Sequence, residues 1–435
     1  MHLVKRTQLG LIHMAVAMTL VPINSTLNRV MIKEMGISAT VVAILASLPF
    51  LLAPIQMAIG SFSDRHPLLG FRRAPYILGG LVLCALGVAL SPGAALLMER
   101  DLVGGLAAGV AAFGAWGMGY NLSSVSYLSL ASELSPERER AKTIATMWFM
   151  MILGIIGTAV GLSRLVDPYS PAAMTQAFVY VAVAALALGL AGLVRLEPRH
   201  ATRREARNES YTLRGMVQAV AGNPVARRYF LYLLLLLAAI LGQDVLLEPF
   251  GAEAFGLTVT QTTRITSFWG TSVLAAIAIA GPLESKLARK TVAHLGNLGA
   301  LLGFLLILTS GILRSLGVFY SGVILLGLGT GLSTVANLSL MFGFTLPGQV
   351  GLFIGAWGFA NALSRLTGSV LAGAVRDLVT QLTGHAVGAY LAVFAIEAAM
   401  LLSATLMLVR LDVREFAHRA VQPALGEKLA LAADG

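Results

Sequence analysis

Residues 229–241 read YFLYLLLLLAAIL, thirteen in a row without a charge or a proline. Runs of this kind recur along the chain, and about 20 apolar residues cross a bilayer as an α-helix. Hydrocarbon offers backbone groups no partner, so a chain with many such runs must satisfy them internally, as helices. Twelve spans are expected on this measure, centred near residues 20, 48, 83, 117, 154, 184, 239, 273, 302, 329, 360 and 398. Composition supports the reading: only 12% of residues are charged, whereas soluble domains carry about 25%. The first run is too long for a signal peptide and lacks a small-residue cleavage site, so it reads as a retained helix. The one cysteine, Cys84, lies within an apolar run, which excludes a disulfide framework and a cysteine metal site.

Lysine and arginine set the expected orientation. With the N-terminus in the cytoplasm, the inner segments carry 23 of them and the outer ends seven, so both termini are expected inside. The net charge of +10 is then a topology signal, and no nucleic-acid partner is expected. The stretch 197–228 is the longest polar segment and divides the chain into two bundles, 1–196 and 229–411, with a tail at 412–435. The halves resemble one another. GMGYNLSSVSYLSL (117–130) matches GLGTGLSTVANLSL (327–340) at eight of fourteen positions with an offset of 210. EMGISAT (34–40) falls on AFGLTVT (254–260) at an offset of 220. Such a repeat is transporter-type architecture, with a site expected near the midplane where the halves meet.

At that second offset Asn24 corresponds to Asp244 and Asn28 to Glu248, so each half opens with a polar pair one turn apart on one face. Asp244 falls roughly 22 Å along the seventh span, counted from Tyr229. Pro249 disfavours helix at Glu248, which then reads as either a site residue or a water-exposed helix end. Asp244 and Glu248 are expected to face the first span, with Glu248 pairing with Arg29 and Asp244 either accepting from Asn24 or ligating something bound deeper. Arg365 and Glu397 each lie deep within a span and need partners, since an unpaired charge there costs at least ~2.5 kcal/mol; they are expected to pair with one another.

The loop GSFSDRHPLLGFRRAP (60–75) resembles the G-x-x-x-D-R-x-x-G-R-R motif of the major facilitator superfamily through Gly60, Asp64, Arg65, Gly70, Arg72 and Arg73, with two extra residues before Gly70. A charge cluster of Asp64 with the arginines, locking the inner face, is the corresponding expectation. GQDVLLEPFGAEAFG (242–256), LSPERERAK (134–142) and PGQVGLFIGAWG (347–358) resemble the PucC/LhaA-type bacteriochlorophyll delivery family of that superfamily, and the resemblance covers essentially the whole chain. It implies an all-α membrane protein of twelve transmembrane helices in two pseudo-symmetric six-helix bundles, in the inner photosynthetic membrane of a bacterium. It also implies an assembly factor that binds or delivers (bacterio)chlorophyll, as cargo, to antenna or reaction-centre polypeptides.

Chlorophyll magnesium takes a single axial ligand from imidazole, amide, carboxylate or water. The candidates within spans are His13, Asn24, Asn28, Asn121, Gln243, Asp244, Glu248, His294, Asn337 and Asn361, with Trp116, Trp148, Trp269 and Trp357 as stacking surfaces. For His13 the blander role is hydrogen-bonded packing, and for Asn121 and Asn337 it is interhelical bonding. No nucleotide loop, catalytic triad or metal cluster is legible, and GLGTG (327–331) sits in a span with no strand before it, so no enzyme is expected. The alternative to an assembly factor is a proton-coupled transporter of a small amphipathic molecule, using Asp244 or Glu248.

Overall fold

The computed structural model describes residues 3–199, 218, 220–343 and 350–411. Most of the expected 197–228 linker and all of the 412–435 tail lie outside these. Span 1 (Leu3–Glu34) is α-helical to Met18 and then contains two π-helical stretches, Pro22–Leu27 and Val30–Glu34. Span 2 comes in three pieces, Ala39–Ala46, Leu48–Leu51 and Ile55–Arg65. Spans 3 to 6 are Ala74–Arg100, Leu102–Leu134, Arg140–Leu165 and Pro171–Leu193. Span 7 is Pro224–Gly242, a 3-10 turn at Gln243–Val245, and Leu247–Phe255. Spans 8 to 12 are Val259–Glu284, Arg289–Leu313, Leu316–Gly343, Val350–Thr383 and Ala386–Val409.

Among the described residues, ten helices are long and apolar enough to cross a membrane. The second segment, interrupted around Pro49 and Pro54, and the eleventh, which carries Arg365, Arg376 and Asp377, make the whole compatible with the twelve expected. Span 7 begins earlier than its apolar run suggests. Pro224 occupies the first turn, where its missing N–H costs nothing, and the Asn223 side chain accepts from Val225 N and Ala226 N.

The repeat is visible in the backbone. Gly36 (φ 65°) and Gly256 (φ 66°), 220 residues apart, end spans 1 and 7 in the left-handed conformation that only glycine adopts cheaply. Two residues on, Ser38 and Thr258 cap the next helix, accepting from Val41 N and Gln261 N. Spans 3 and 4 pack through Gly80, where a Cβ would stand 2.7 Å from Ser123 N. Spans 9 and 10 use the same device, with Gly296 at 2.5 Å from Ser333 N. Ser123 and Ser333 are the matched serines of the 210-residue repeat.

One end of the bundle carries Arg6, Arg72, Arg73 and Lys290 and is called the basic face; the other is the far face. Polar links at the basic face, among the described residues, stay within a half. Arg6 pairs with Glu139 at 3.2 Å, and Lys290 donates to the Val409 and Leu411 carbonyls. Apolar packing follows the same division. The larger core joins both halves, from Val21 and Leu45 to Leu246 and Phe394. A separate cluster around Leu9, Ile12, Ile77, Tyr127 and Met147 fills the basic side of the N-terminal half.

Candidate functional site

Both first spans lose regular α-geometry at corresponding heights: span 1 at Pro22–Leu27 and span 7 at Gln243–Val245. Broken helices within a membrane are tolerated where side chains or a cavity satisfy the freed backbone, and in transporter folds they mark binding sites. Asp244 sits in the break of span 7. Its Oδ2 lies 3.2 Å from Arg365 Nη1 of span 11, and the Gln243 amide donates to its Oδ1 at 2.9 Å. The Arg365 guanidinium stands 5.1 Å from the Phe50 ring centre in span 2, a cation–π contact across the halves. Asp244 and Arg365 are 24% and 27% exposed, so the pair is partly open among spans 2, 7 and 11. The expected Arg365–Glu397 pair is not formed, because Asp244 takes the guanidinium.

Glu248 is buried at 4% exposure and is not a water-exposed helix end. The helix does not stop before Pro249, which falls in the first turn of Leu247–Phe255, where no N–H is needed. Glu248 Oε1 accepts from Ser25 Oγ of span 1 at 2.5 Å and Thr266 Oγ1 of span 8 at 2.6 Å. One oxygen thus ties three spans and both halves. The expected pairing with Arg29 is replaced: Arg29 binds Glu34 in its own span and donates to the Leu257 carbonyl at 3.1 Å across the halves. Asn28 donates to the Asn24 carbonyl, within its own span, and the amide that reaches Asp244 is Gln243 rather than Asn24.

Other candidates are absorbed by packing. At the break in span 2 the Pro49 carbonyl accepts from Asn121 Nδ2 at 2.8 Å, while Gln56 donates to Asn121 Oδ1. Asn337 belongs to a buried network with Tyr232, Ser333 and Asn297 that joins spans 7, 9 and 10. Trp116 donates to Thr19. His13 is different: its ring lies 5.0 Å from Tyr127 and 6.1 Å from Trp148, Nδ1 is buried without a partner, and it stands apart from the Asp244–Arg365 pair. Trp357 lies two turns before Arg365 in span 11, with its indole N–H buried and unpartnered. Arg72 and Arg73 both reach Glu133 at the end of span 4, and Arg73 donates to Ser63. These contacts brace the N-terminal half internally. Arg65 is exposed, and the Asp64 side chain lies outside what is described.

Asp377 escaped the sequence reading. Near the far end of span 11, it accepts from Ser38 Oγ at 2.6 Å, Ala39 N at 3.1 Å, Thr40 N at 2.8 Å and Thr40 Oγ1 at 2.7 Å. A carboxylate from the C-terminal half therefore caps the first turn of span 2. Beside it, a Cβ on Gly373 would stand 2.7 Å from the Ala39 carbonyl, so the two backbones touch. Lys33 pairs with Glu253 nearby. The far face is fastened by these contacts, and the partly open pair at Asp244 lies behind them.

The family model described as PUCC protein matches residues 26–416. Protein PucC of Rhodobacter capsulatus is 32% identical over 419 residues, covering 91% of this chain and 90% of that one. The Bacteriochlorophyll synthase 44.5 kDa chain of the same species is 27% identical over 408 residues, covering 92% and 93%. Among solved structures, a D-xylose-proton symporter superposes with a TM-score of 0.71 at 16% identity, covering 93% of this chain and 97% of that one. The two six-span halves are the major facilitator fold.

Proposed function

The chain belongs to the PUCC protein family, and from that premise we propose that it is an assembly factor that takes up (bacterio)chlorophyll within the membrane and hands it to antenna or reaction-centre polypeptides. The observation that carries this reading is the Asp244–Arg365 pair, partly open at the interface and faced by Phe50. An aromatic ring at the pair suits a macrocycle, and Gln243 and Asp244 supply oxygen donors of the kind that chlorophyll magnesium accepts. A relative whose name includes bacteriochlorophyll synthase supports the pigment context. The protein works as a carrier, not an enzyme, in the bacterial inner membrane, with the basic face and both termini in the cytoplasm.

The experiment is to purify the protein from a pigment-producing host in mild detergent and record its absorption spectrum. Bound (bacterio)chlorophyll, lost on replacing Arg365 and Asp244 together, supports the reading. A second reading, a proton-coupled transporter of a small amphipathic molecule, draws on Glu248, a buried carboxyl that links the halves with no cation bonded to it among the described residues. Pigment-free protein that drives proton-dependent uptake in vesicles would establish that alternative instead.

A further inference from the structure

The loop between spans 2 and 3 carries two extra residues before Gly70, and the site above makes no use of them. The fold puts them to a different use. Leu68 and Phe71 exchange both backbone hydrogen bonds, each at 2.9 Å, and so close a two-residue hairpin. Leu69 (φ 54°) and Gly70 (φ 81°) form its turn, both in the left-handed region. Asparagine, aspartate and glycine fill such turns, and leucine rarely does. The Leu69 side chain is also 90% exposed, more than any other large apolar residue among those described. A backbone conformation that disfavours leucine therefore holds a leucine out of the fold. Leu68 beside it is 49% exposed. Strained backbone of this kind concentrates where the displayed side chain has a use.

The hairpin's place at the basic face tells what Leu69 meets. Arg199, which follows span 6, stands 5.8 Å over the Phe71 ring and ties the hairpin to the end of that span. Span 6 presents Val183, Leu190 and Val194 outward at 61%, 44% and 59% exposure, spaced i, i+7 and i+11 along one face. An exposed apolar stripe on a membrane helix is its lipid-facing side. This one runs into Arg195, another exposed side chain on a left-handed backbone (φ 53°). The hairpin thus stands at the lipid edge of the N-terminal half. Its charge suits that edge. Residues 65–73 carry three arginines and no acid. Arg72 and Arg73 are taken by Glu133, and Glu197 is buried and accepts backbone N–H groups. Arg65, Arg195 and Arg199 are exposed and in no ion pair among the described residues. An apolar tip ringed by such arginines complements an anionic bilayer interface, where leucine reaches acyl chains and guanidinium groups meet phosphates.

We propose that the 66–71 hairpin is a membrane anchor: Leu69 dips into the leaflet at the basic face while Arg65, Arg195 and Arg199 bind the phosphates of anionic lipids. The anchor fixes the basic-face ends of spans 2, 3 and 6 at the bilayer surface, whether or not the protein carries pigment. The test puts a nitroxide on Leu69→Cys in the full chain, one copy per nanodisc; native Cys84 is buried and stays unlabelled. Collision rates with oxygen and with a water-soluble nickel chelate give the depth of the label. In phosphatidylglycerol discs it is expected roughly 5–10 Å inside the headgroup boundary, while a label on Arg138→Cys, exposed on the same face, stays in water. Phosphatidylcholine discs, or Arg195→Gln with Arg199→Gln, shift the Leu69 label outward. A label on Leu68→Cys keeps the leucine in place, and adding Leu69→Asn, which suits the turn, shifts that label outward too. A Leu69 label as open to the chelate as the one at Arg138 overturns the anchor, as does one shielded from both reagents, which would lie against protein. No shift of the Leu68 label on adding Leu69→Asn overturns the role of the leucine, and equal depth in both lipids overturns that of the arginines.

Discussion

Glu197 and Asp377 perform the same chemistry at opposite ends of the molecule. Each carboxylate accepts from backbone N–H groups in the first turn of a span, where those groups lack helical partners and the dipole favours negative charge. Glu197 receives Arg72 N, Arg73 N and Ala74 N at the start of span 3. Asp377 receives Ala39 N and Thr40 N at the start of span 2. The difference is what they join. Glu197 follows span 6 and caps a helix of its own half, so the cap travels with the helix. Asp377 caps a helix of the other half, and that bond must break before the halves separate. The basic face is braced and the far face is fastened.

The largest effect that tests this contrast is expected from Asp377→Ala, which leaves the four donors at the head of span 2 without their acceptor. We expect a loss of about 3 kcal/mol in thermal unfolding, together with faster labelling of a cysteine placed at the far-face interface. Native Cys84 is buried and leaves that readout clean. Glu197→Ala should lower stability while leaving far-face labelling unchanged; equal labelling in both variants would erase the distinction. Next comes Arg365→Met, which strands Asp244 and should also cost about 3 kcal/mol, with part recovered on adding Asp244→Asn. A double variant no more stable than the single one would mean the pair is not coupled. Removing either donor to Glu248, by Ser25→Ala or Thr266→Ala, should cost about 1 kcal/mol in the same melting assay. The smallest effect is expected at Lys33–Glu253, where neutralising one partner costs ~0–1 kcal/mol. Paired cysteines at those two positions should nevertheless cross-link under mild oxidation, and failure to do so would place the far face open in solution.

The architecture was legible because hydrocarbon leaves little choice: apolar length gives the spans, and repeated glycines and serines give the pairing of halves. Gly36 with Gly256, and Ser38 with Thr258, lie where the offset of 220 put them. Partner choice was less legible. Arg365 was matched to Glu397 on depth, yet the 3-10 turn at Gln243–Val245 turns Asp244 toward the arginine, and no hydropathy pattern announces such a turn. Pro249 was read as a stop, though a first-turn position is where proline costs least. Asp377 was missed because the orientation count takes only lysine and arginine, so an acid beside Arg376, to which it also bonds at 3.0 Å, leaves no mark in it. The signal available was Ser38 at the head of span 2, since a helix start at an interface invites a carboxylate from across it.

Lys33 and Glu253 are 220 residues apart, the repeat interval itself, and they bond to each other. A residue that meets its own counterpart lies on the pseudo-twofold axis. Two identical half-length chains would have set lysine against lysine there, or glutamate against glutamate. Opposite charges can meet on a twofold axis only when its two sides are encoded separately. This contact is therefore younger than the duplication, and it ties the single long chain to the way its halves recognise each other.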